Sequence, residues 1–318
     1  MRIGIDVGGT KIESILLGRD GAALHRERRA TPRDDYEETL AVIASLVHAC
    51  EDIAGQTGLP VGIGHPGATS PLTGAIKNAN SVWLNGRPLE RDLRGLLARP
   101  VRLANDANCF ALSEATDGAG MGARVVFGVI IGTGTGGGVV VDGRVLIGAN
   151  AIGGEWGHNP LPWPRAEEMP GPSCYCGRRG CIESYLSGPG LLRDHLESMG
   201  AAIPPHPTEL EADAAGDARA ALTPSRIVKA AGRGDPAALA TMERYHERMA
   251  RALATVINLL DPDVIVLGGG LSNVPSLYTE VPRQWGRWIF SDHVSTRLEP
   301  PRHGDSSGVR GAAWLNPE

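Results

Sequence analysis

The sequence predicts an α/β fold in which one unit occurs twice, and three observations carry that expectation. A short apolar strand, a glycine-rich turn and a second strand occur together at residues 2–17 and again at residues 127–141. Both copies run out at an Asp-Gly pair, Asp20-Gly21 in the first and Asp142-Gly143 in the second. Around them, apolar runs of strand length alternate with stretches of helical spacing, the pattern of layered α/β domains. Repetition of one pattern in each half points to internal duplication. At 318 residues the chain also exceeds what one core usually serves, so two domains are expected.

Taken in order, residues 2–7 read as a buried strand, Gly8-Gly9-Thr10-Lys11 as a tight turn and Ile12–Leu17 as the returning strand. Gly8 and Gly9 let the backbone approach a bound group closely, while Thr10 offers a hydroxyl and Lys11 a cation, so this turn can cradle phosphate. An ordinary hairpin turn would have the same composition, and a helix does not follow as a Walker A loop requires. Asp34–Thr57 has helical spacing in Leu40, Ile43, Leu46 and Val47, with Asp34 or Asp35 placed to cap it. Leu59–Ile63 is the next strand, and Pro66-Gly67 opens a loop.

Residues 78–86, Asn-Ala-Asn-Ser-Val-Trp-Leu-Asn-Gly, are too polar for regular structure yet carry three amides that could bind hydroxyls. Val101–Ala104 forms a strand, and Asn105-Asp106-Ala107-Asn108 falls where the next helix begins. Asp106 is there either as a helix cap or as a group facing the crevice at the strand ends.

The second copy has strands at Phe127–Ile131 and Val139–Val141 around a turn at Gly132–Gly138. Asp235–Leu260 reads as a long helix stopped by Asp261-Pro262. Val264–Leu267 is a buried strand running into Gly268-Gly269-Gly270, a surface free of side chains on which a planar base could lie. A last helix spans Val309–Leu315 by its apolar spacing. Ala201–Pro224, rich in alanine and proline, reads as a surface excursion.

The densest chemistry lies between Gly154 and Glu183. Cys174, Cys176 and Cys181 supply soft thiolates and His158 an imidazole, a set suited to tetrahedral zinc with every position filled by protein. Reduced cysteines or a disulfide are the alternatives, though a Cys174–Cys176 bridge would be strained. Glu155 and Glu183 flank the ligands, so a metal would fix both carboxylates where they could bind a polar ligand such as a sugar.

Composition is globular, with 42% hydrophobic and 21% charged residues. The net charge of −5 argues against nucleic acid or an anionic membrane as main partner. No secretion signal opens the sequence and no apolar run is long enough for a membrane span, so a cytoplasmic protein is expected. Five cysteines, an odd number, suit a reducing compartment.

These motifs together resemble the sugar kinases of the ROK group, which belong to the actin, hexokinase and 70-kDa heat-shock ATPase superfamily. The resemblance implies a duplicated actin/hexokinase-like fold with two α/β domains around a cleft and a zinc knuckle. It divides the chain into residues 1–118, joined by a C-terminal helix at 306–318, and residues 119–305. It places nucleotide contacts on Asp6, Gly8, Gly9, Thr10, Lys11, Thr133, Gly134, Thr135, Gly136, Gly269 and Gly270. Sugar contacts fall on Gly67, Asn80, Asn105, Asp106, Glu155, His158 and Glu183, with Asp106 as catalytic base. Zinc falls on His158, Cys174, Cys176 and Cys181.

ATP, Mg²⁺ and structural Zn²⁺ are the implied cofactors, a hexose the substrate, and a homodimer the assembly. The wording at residues 78–86, 155–163 and 303–315 is most similar to bacterial fructokinases, also called mannokinases, which implies fructose 6-phosphate as product, with mannose or glucose as secondary substrates. Glucokinase and N-acetylhexosamine kinase are the alternatives within the family. A sugar-responsive regulator would need an N-terminal helix-turn-helix, for which a strand beginning by Ile3 leaves no room.

Overall fold

The structure is a computed structural model that describes residues 1–201 and 222–316. Apart from its ends, the expected excursion at 201–224 lies outside the described residues. Twelve strands are described: β1 (Arg2–Val7), β2 (Lys11–Leu17), β3 (Ala23–Ala30), β4 (Val61–His65), β5 (Ala68–Thr69), β6 (Ile76–Lys77), β7 (Val101–Asn105), β8 (Val125–Ile131), β9 (Thr135–Val141), β10 (Arg144–Val145), β11 (Val264–Gly268) and β12 (Arg297–Glu299). The described α-helices are α1 (Tyr36–Ala54), α2 (Leu89–Leu97), α3 (Asp106–Thr116), α4 (Glu183–Leu186), α5 (Gly188–Ser198), α6 (Pro224–Gly232), α7 (Pro236–Leu260), α8 (Leu277–Trp285) and α9 (Ser307–Trp314).

Two five-stranded sheets have the same plan, β3-β2-β1-β4-β7 and β10-β9-β8-β11-β12. In the first, β1, β2 and β3 pair antiparallel while β4 and β7 continue parallel to β1. In the second, β10 pairs antiparallel with β9, and β11 runs parallel to β12. The duplication read from the two glycine turns is therefore a duplication of whole sheets. The described chain forms two compact units, one from Met1–Gly128, Gly138–Gly154 and Pro301–Glu318, the other from Val129–Gly137 and Glu155–Pro300.

In the first unit one face of the sheet buries Ile3, Ile5, Val61 and Ile63 against Ile43, Leu46 and Val47 of α1 and Leu89 and Leu93 of α2. Asp35 caps α1 by accepting from the Glu38 amide at 2.9 Å. The other face is covered by α9, and the strand glycines explain how closely: a Cβ on Gly4 would lie 2.1 Å from Val309 O, and one on Gly62 1.8 Å from Ala312 O. Burial on both faces accounts for the near-continuous apolar runs of β1 and β4.

The chain leading into α9 is clasped to the end of α3 by the buried Glu114, which accepts from Ser307 Oγ at 2.7 Å and from the amides of Ala119 and Arg302 at 2.9 and 3.1 Å. This gives residues 303–308 a structural role that spacing alone does not reveal.

Some elements differ from expectation. Strand β3, Ala-Leu-His-Arg-Glu-Arg-Arg-Ala, is too charged to announce itself; Arg26 and Arg28 pair with the buried Glu13 of β2, and such charges also protect an edge strand from further pairing. The second glycine run is only partly a turn, because β9 begins at Thr135. Gly138 is a strand residue kept bare by packing, since a Cβ there would stand 2.5 Å from Ala107 O.

In the second unit α7 starts at the cap Asp235, whose carboxylate accepts from the Ala238 amide at 2.8 Å, and ends at Asp261 in the left-handed region before Pro262. Two arginines one turn apart on α7 converge on the buried Glu168, Arg248 Nε at 2.8 Å and Arg251 Nη2 at 2.7 Å. Arg251 Nη1 also donates to Trp163 O at 2.6 Å, which anchors the chain just after His158. Hydrogen bonds from Arg251 and Arg248 outweigh the opposing effect of burial and hold Glu168 down at about 2. Among the described residues no helix is long and apolar enough to cross a membrane.

Candidate active site and metal centre

The first glycine turn joins β1 to β2 and is supported from outside through its carbonyls. Gly8 N–H donates to Lys11 O at 2.9 Å, Thr31 Oγ1 donates to Gly8 O at 2.7 Å, and Arg33 Nε donates to Gly9 O at 3.3 Å. Thr10 is exposed, and its carbonyl accepts from the Thr31 amide at 3.1 Å. Lys11 Nζ lies 3.7 Å from Glu13 Oε2.

Asp6, at the end of β1, keeps a little accessible surface but is ringed by protein. Its carboxylate is approached by Gly64 and Gly308, where any Cβ would lie 3.4 Å from its oxygens. Burial, then repulsion from Asp106 and Glu13, pushes its carboxyl up to about 7. A carboxylate in that position gains from a cation, and Mg²⁺ fits this need.

The cap of α3 is Asn105 and not Asp106. Asn105 Oδ1 accepts from the Ala107 amide at 2.9 Å, and its Nδ2 donates to Gly67 O at 2.8 Å. Asp106 is the first residue of the helix and also accepts from the Ala107 amide, at 2.8 Å. Gly67 has φ +72°, and a Cβ would stand 2.3 Å from Lys77 O and 2.6 Å from Ala79 N, so only glycine lets this loop close on residues 77–79. The next residue, Asn80, is exposed, and Asn85 closes the same loop through both the amide and the carbonyl of Ala79. Gly67, Asn80, Asn105 and Asp106 thus belong to the first unit, whereas Glu155, His158 and Glu183 belong to the second.

The second turn is wired differently. Thr135 N–H donates to Glu183 Oε2 at 2.9 Å, and Trp156 Nε1 donates to Gly136 O at 3.1 Å. A Cβ on Gly157 would stand 2.0 Å from Thr135 O, and one on Gly134 2.7 Å from Glu183 Oε2, so both ends of the metal segment press against this turn. Burial raises the Glu183 carboxyl, and the Thr135 amide works against that rise. Glu155 is exposed. Thr133 and Gly134 form the turn itself, with Gly132 N–H closing on Gly134 O at 2.9 Å.

His158, Cys174, Cys176 and Cys181 present one donor atom each, all within 4.8 Å of one another. Cys176 Sγ and Cys181 Sγ are 3.6 Å apart, and Cys174 Sγ is 3.5 Å from His158 Nδ1. Thiolates bound to one tetrahedral zinc would stand about 3.8 Å apart, so the four residues fit that ion. Burial, then the neighbouring thiols, push the Cys181 thiol up to about 12, a cost that a bound cation removes. Gly177 at φ +84° and Gly180 at φ +69° make the turns that return Cys181 to the cluster.

A pocket of about 500 Å³ joins the second turn to the third glycine cluster. Leu192, Val228, Leu271 and Val274 form apolar walls, and Lys229 and Asn273 supply polar groups. Gly269, at φ +82°, packs on Ile131 O, while Gly270 faces open space and lines the pocket. The apolar walls are side chains of α5, α6 and residues 271–274, which no local pattern marks, so the sequence pointed only to the pocket's floor. Thr31, Arg33, Trp156 and Tyr175 are likewise contacts of these sites that spacing does not mark.

Residues 2–318 match the ROK family. The chain belongs to the ROK family. N-acetyl-D-glucosamine kinase of Photobacterium profundum is 39% identical over 320 residues, covering 99% of each chain. A ROK hexokinase from Thermus thermophilus shares the fold with TM-score 0.81 at 30% identity, over 98% of this chain and 96% of that one. A ROK glucokinase from Streptomyces griseus, solved with glucose and AMPPNP, matches with TM-score 0.77 at 28% identity, over 99% and 98% of the two chains. The protein is a sugar kinase of this ROK family, with the actin/hexokinase-like two-domain fold that its turns and sheets predict.

Proposed function

We propose that this ROK kinase transfers the γ-phosphoryl group of ATP to the 6-hydroxyl of a free hexose, and that the hexose is N-acetyl-D-glucosamine. The observation that carries the reading is the bond from Thr135 N–H to Glu183: a carboxylate of the expected sugar set rests on the turn expected to hold phosphate. One support thereby orders both reactants, and positioning is most of what phosphoryl transfer asks of a protein. Full-length similarity to N-acetyl-D-glucosamine kinases supports that sugar over fructose. Fructose is the second reading, favoured by the wording of residues 78–86, 155–163 and 303–315.

In this reading Glu155, His158 and Glu183 bind ring hydroxyls, and Asp106 accepts the proton of the attacking hydroxyl. The adenosine lies in the pocket walled by Leu192, Val228, Leu271 and Val274. Mg²⁺, held near Asp6, would supply charge neutralisation on the phosphates; zinc, held by His158, Cys174, Cys176 and Cys181, would supply structure. ADP release measured across free hexoses, with phosphorus NMR of the product, tests the proposal. The expected result is fastest turnover on N-acetyl-D-glucosamine with a 6-phosphate product. Preference for fructose would select the second reading, and a product phosphorylated at position 1 would overturn the assignment of the attacking hydroxyl.

A further inference from the structure

Tyr175 lies between two ligands of the metal cluster and is 74% exposed. Its ring stands edge-on to the His158 ring, with centroids 5.1 Å apart and planes at 88°, and its hydroxyl is 3.0 Å from His158 Nε2. The other imidazole nitrogen, Nδ1, faces Cys174 Sγ at 3.5 Å and so belongs to the metal cluster. An imidazole whose Nδ1 lone pair is given to a metal carries its proton on Nε2. His158 Nε2–H then donates to the phenol oxygen, and the phenol proton is left to donate elsewhere.

That spare proton matters because the carboxylates of the expected sugar set cannot supply one. A carboxylate only accepts hydrogen bonds, so Glu155 and Glu183 would bind sugar hydroxyls through the hydroxyl protons. A hexose also presents oxygens that can only accept: the ring oxygen and, in an acetamido sugar, the amide carbonyl. Carboxylates repel such atoms, whereas an exposed phenol oriented by a histidine is suited to them. We propose that Tyr175 is a sugar-contacting residue whose hydroxyl, held by His158, donates a hydrogen bond to an acceptor oxygen of the bound hexose. This rests on the reading in which Glu155 and Glu183 bind the sugar, and it replaces a direct contact between His158 and the sugar by one made through Tyr175.

Tyr175→Phe tests it, since the substitution keeps the ring contact with His158 and removes only the hydroxyl. Calorimetric titration of the metal-loaded protein with N-acetyl-D-glucosamine, fructose, mannose and glucose gives the readout, with metal content and ATP affinity measured on the same samples. The expected result is an increase of about 3- to 10-fold in the Kd of the preferred sugar, the size of one hydrogen bond, with metal content and ATP affinity unchanged. Unchanged sugar affinity would overturn the proposal. Tighter binding would overturn it too, because the phenol would then be competing with the sugar for His158. Glu183→Gln, titrated alongside, separates the two levels: sugar affinity retained there sinks the reading of the carboxylates, while Tyr175→Phe still decides the phenol. Wild-type protein that binds none of the four sugars would overturn both.

Discussion

The two glycine turns look like copies in the sequence, yet their supports have little in common. The Gly8 turn is held by Thr31 and Arg33, from the loop that follows β3, which donate to its carbonyls. The Gly132 turn is held by Glu183 and Trp156, which reach it from either end of the cysteine-rich segment. Duplication reproduced the strands and the turn but not what braces them. The first turn is braced locally, without the cysteine-rich segment, whereas the second shares its order with the segment that would bind zinc and sugar.

The largest expected effect separates chemistry from either turn. Asp106 heads α3, and as the expected general base it acts mainly in the transition state, so Asp106→Ala should lower turnover roughly 10²- to 10⁴-fold while ATP and sugar still bind. Steady-state kinetics with parallel binding titrations measure this, and near-normal turnover would remove Asp106 from the mechanism.

A smaller effect probes the anchor of the cysteine-rich segment on α7. Glu168 has a lowered carboxyl near 2, against an ordinary value of 4.5, so its contribution is complete above about pH 4.5 and is lost as pH falls toward 2. The size is about 3 kcal/mol. Glu168→Gln should therefore melt at least roughly 5 °C below wild type at pH 7, and the gap should close as the pH approaches 2. A gap that persists in acid would assign the loss to packing. Asp6, beside the first turn, has the opposite sign: its carboxyl is raised from 3.8 to about 7, so charging it costs stability as pH rises through that window.

The smallest effect concerns the first turn alone. Thr31→Val removes the hydroxyl that donates to Gly8 O, worth about 1 kcal/mol, and should weaken ATP binding about 5-fold without altering sugar affinity. A matching loss of sugar affinity would mean that the two turns are not braced separately.

How much of this was legible in the sequence follows the same division. Backbone requirements left clear marks: Gly8, Gly67 and Gly269 stand where a side chain would collide or where φ is positive. The candidate metal cluster of His158, Cys174, Cys176 and Cys181 was legible because soft donors at short spacing have few other uses. Strand β3 was not, since its arginines are stabilised by Glu13 on a neighbouring strand, a pairing that no local pattern encodes. The pocket walls escaped because Leu192, Val228 and Val274 are ordinary helix and loop residues until the fold gathers them. Reading Gly132–Gly138 as one turn failed because a glycine kept bare by packing and one needed for a turn look alike in sequence.

The central claim is that the second turn and the cysteine-rich segment form one assembly while the first turn stands alone. Hydrogen–deuterium exchange on metal-loaded and metal-stripped protein tests it at the two turns directly. The account predicts that stripping the metal speeds exchange in peptides covering 132–138 and 155–183, including the Thr135 amide, and leaves the peptide covering 6–12 unchanged. Equal deprotection of both turns, or no change at 132–138, would contradict it.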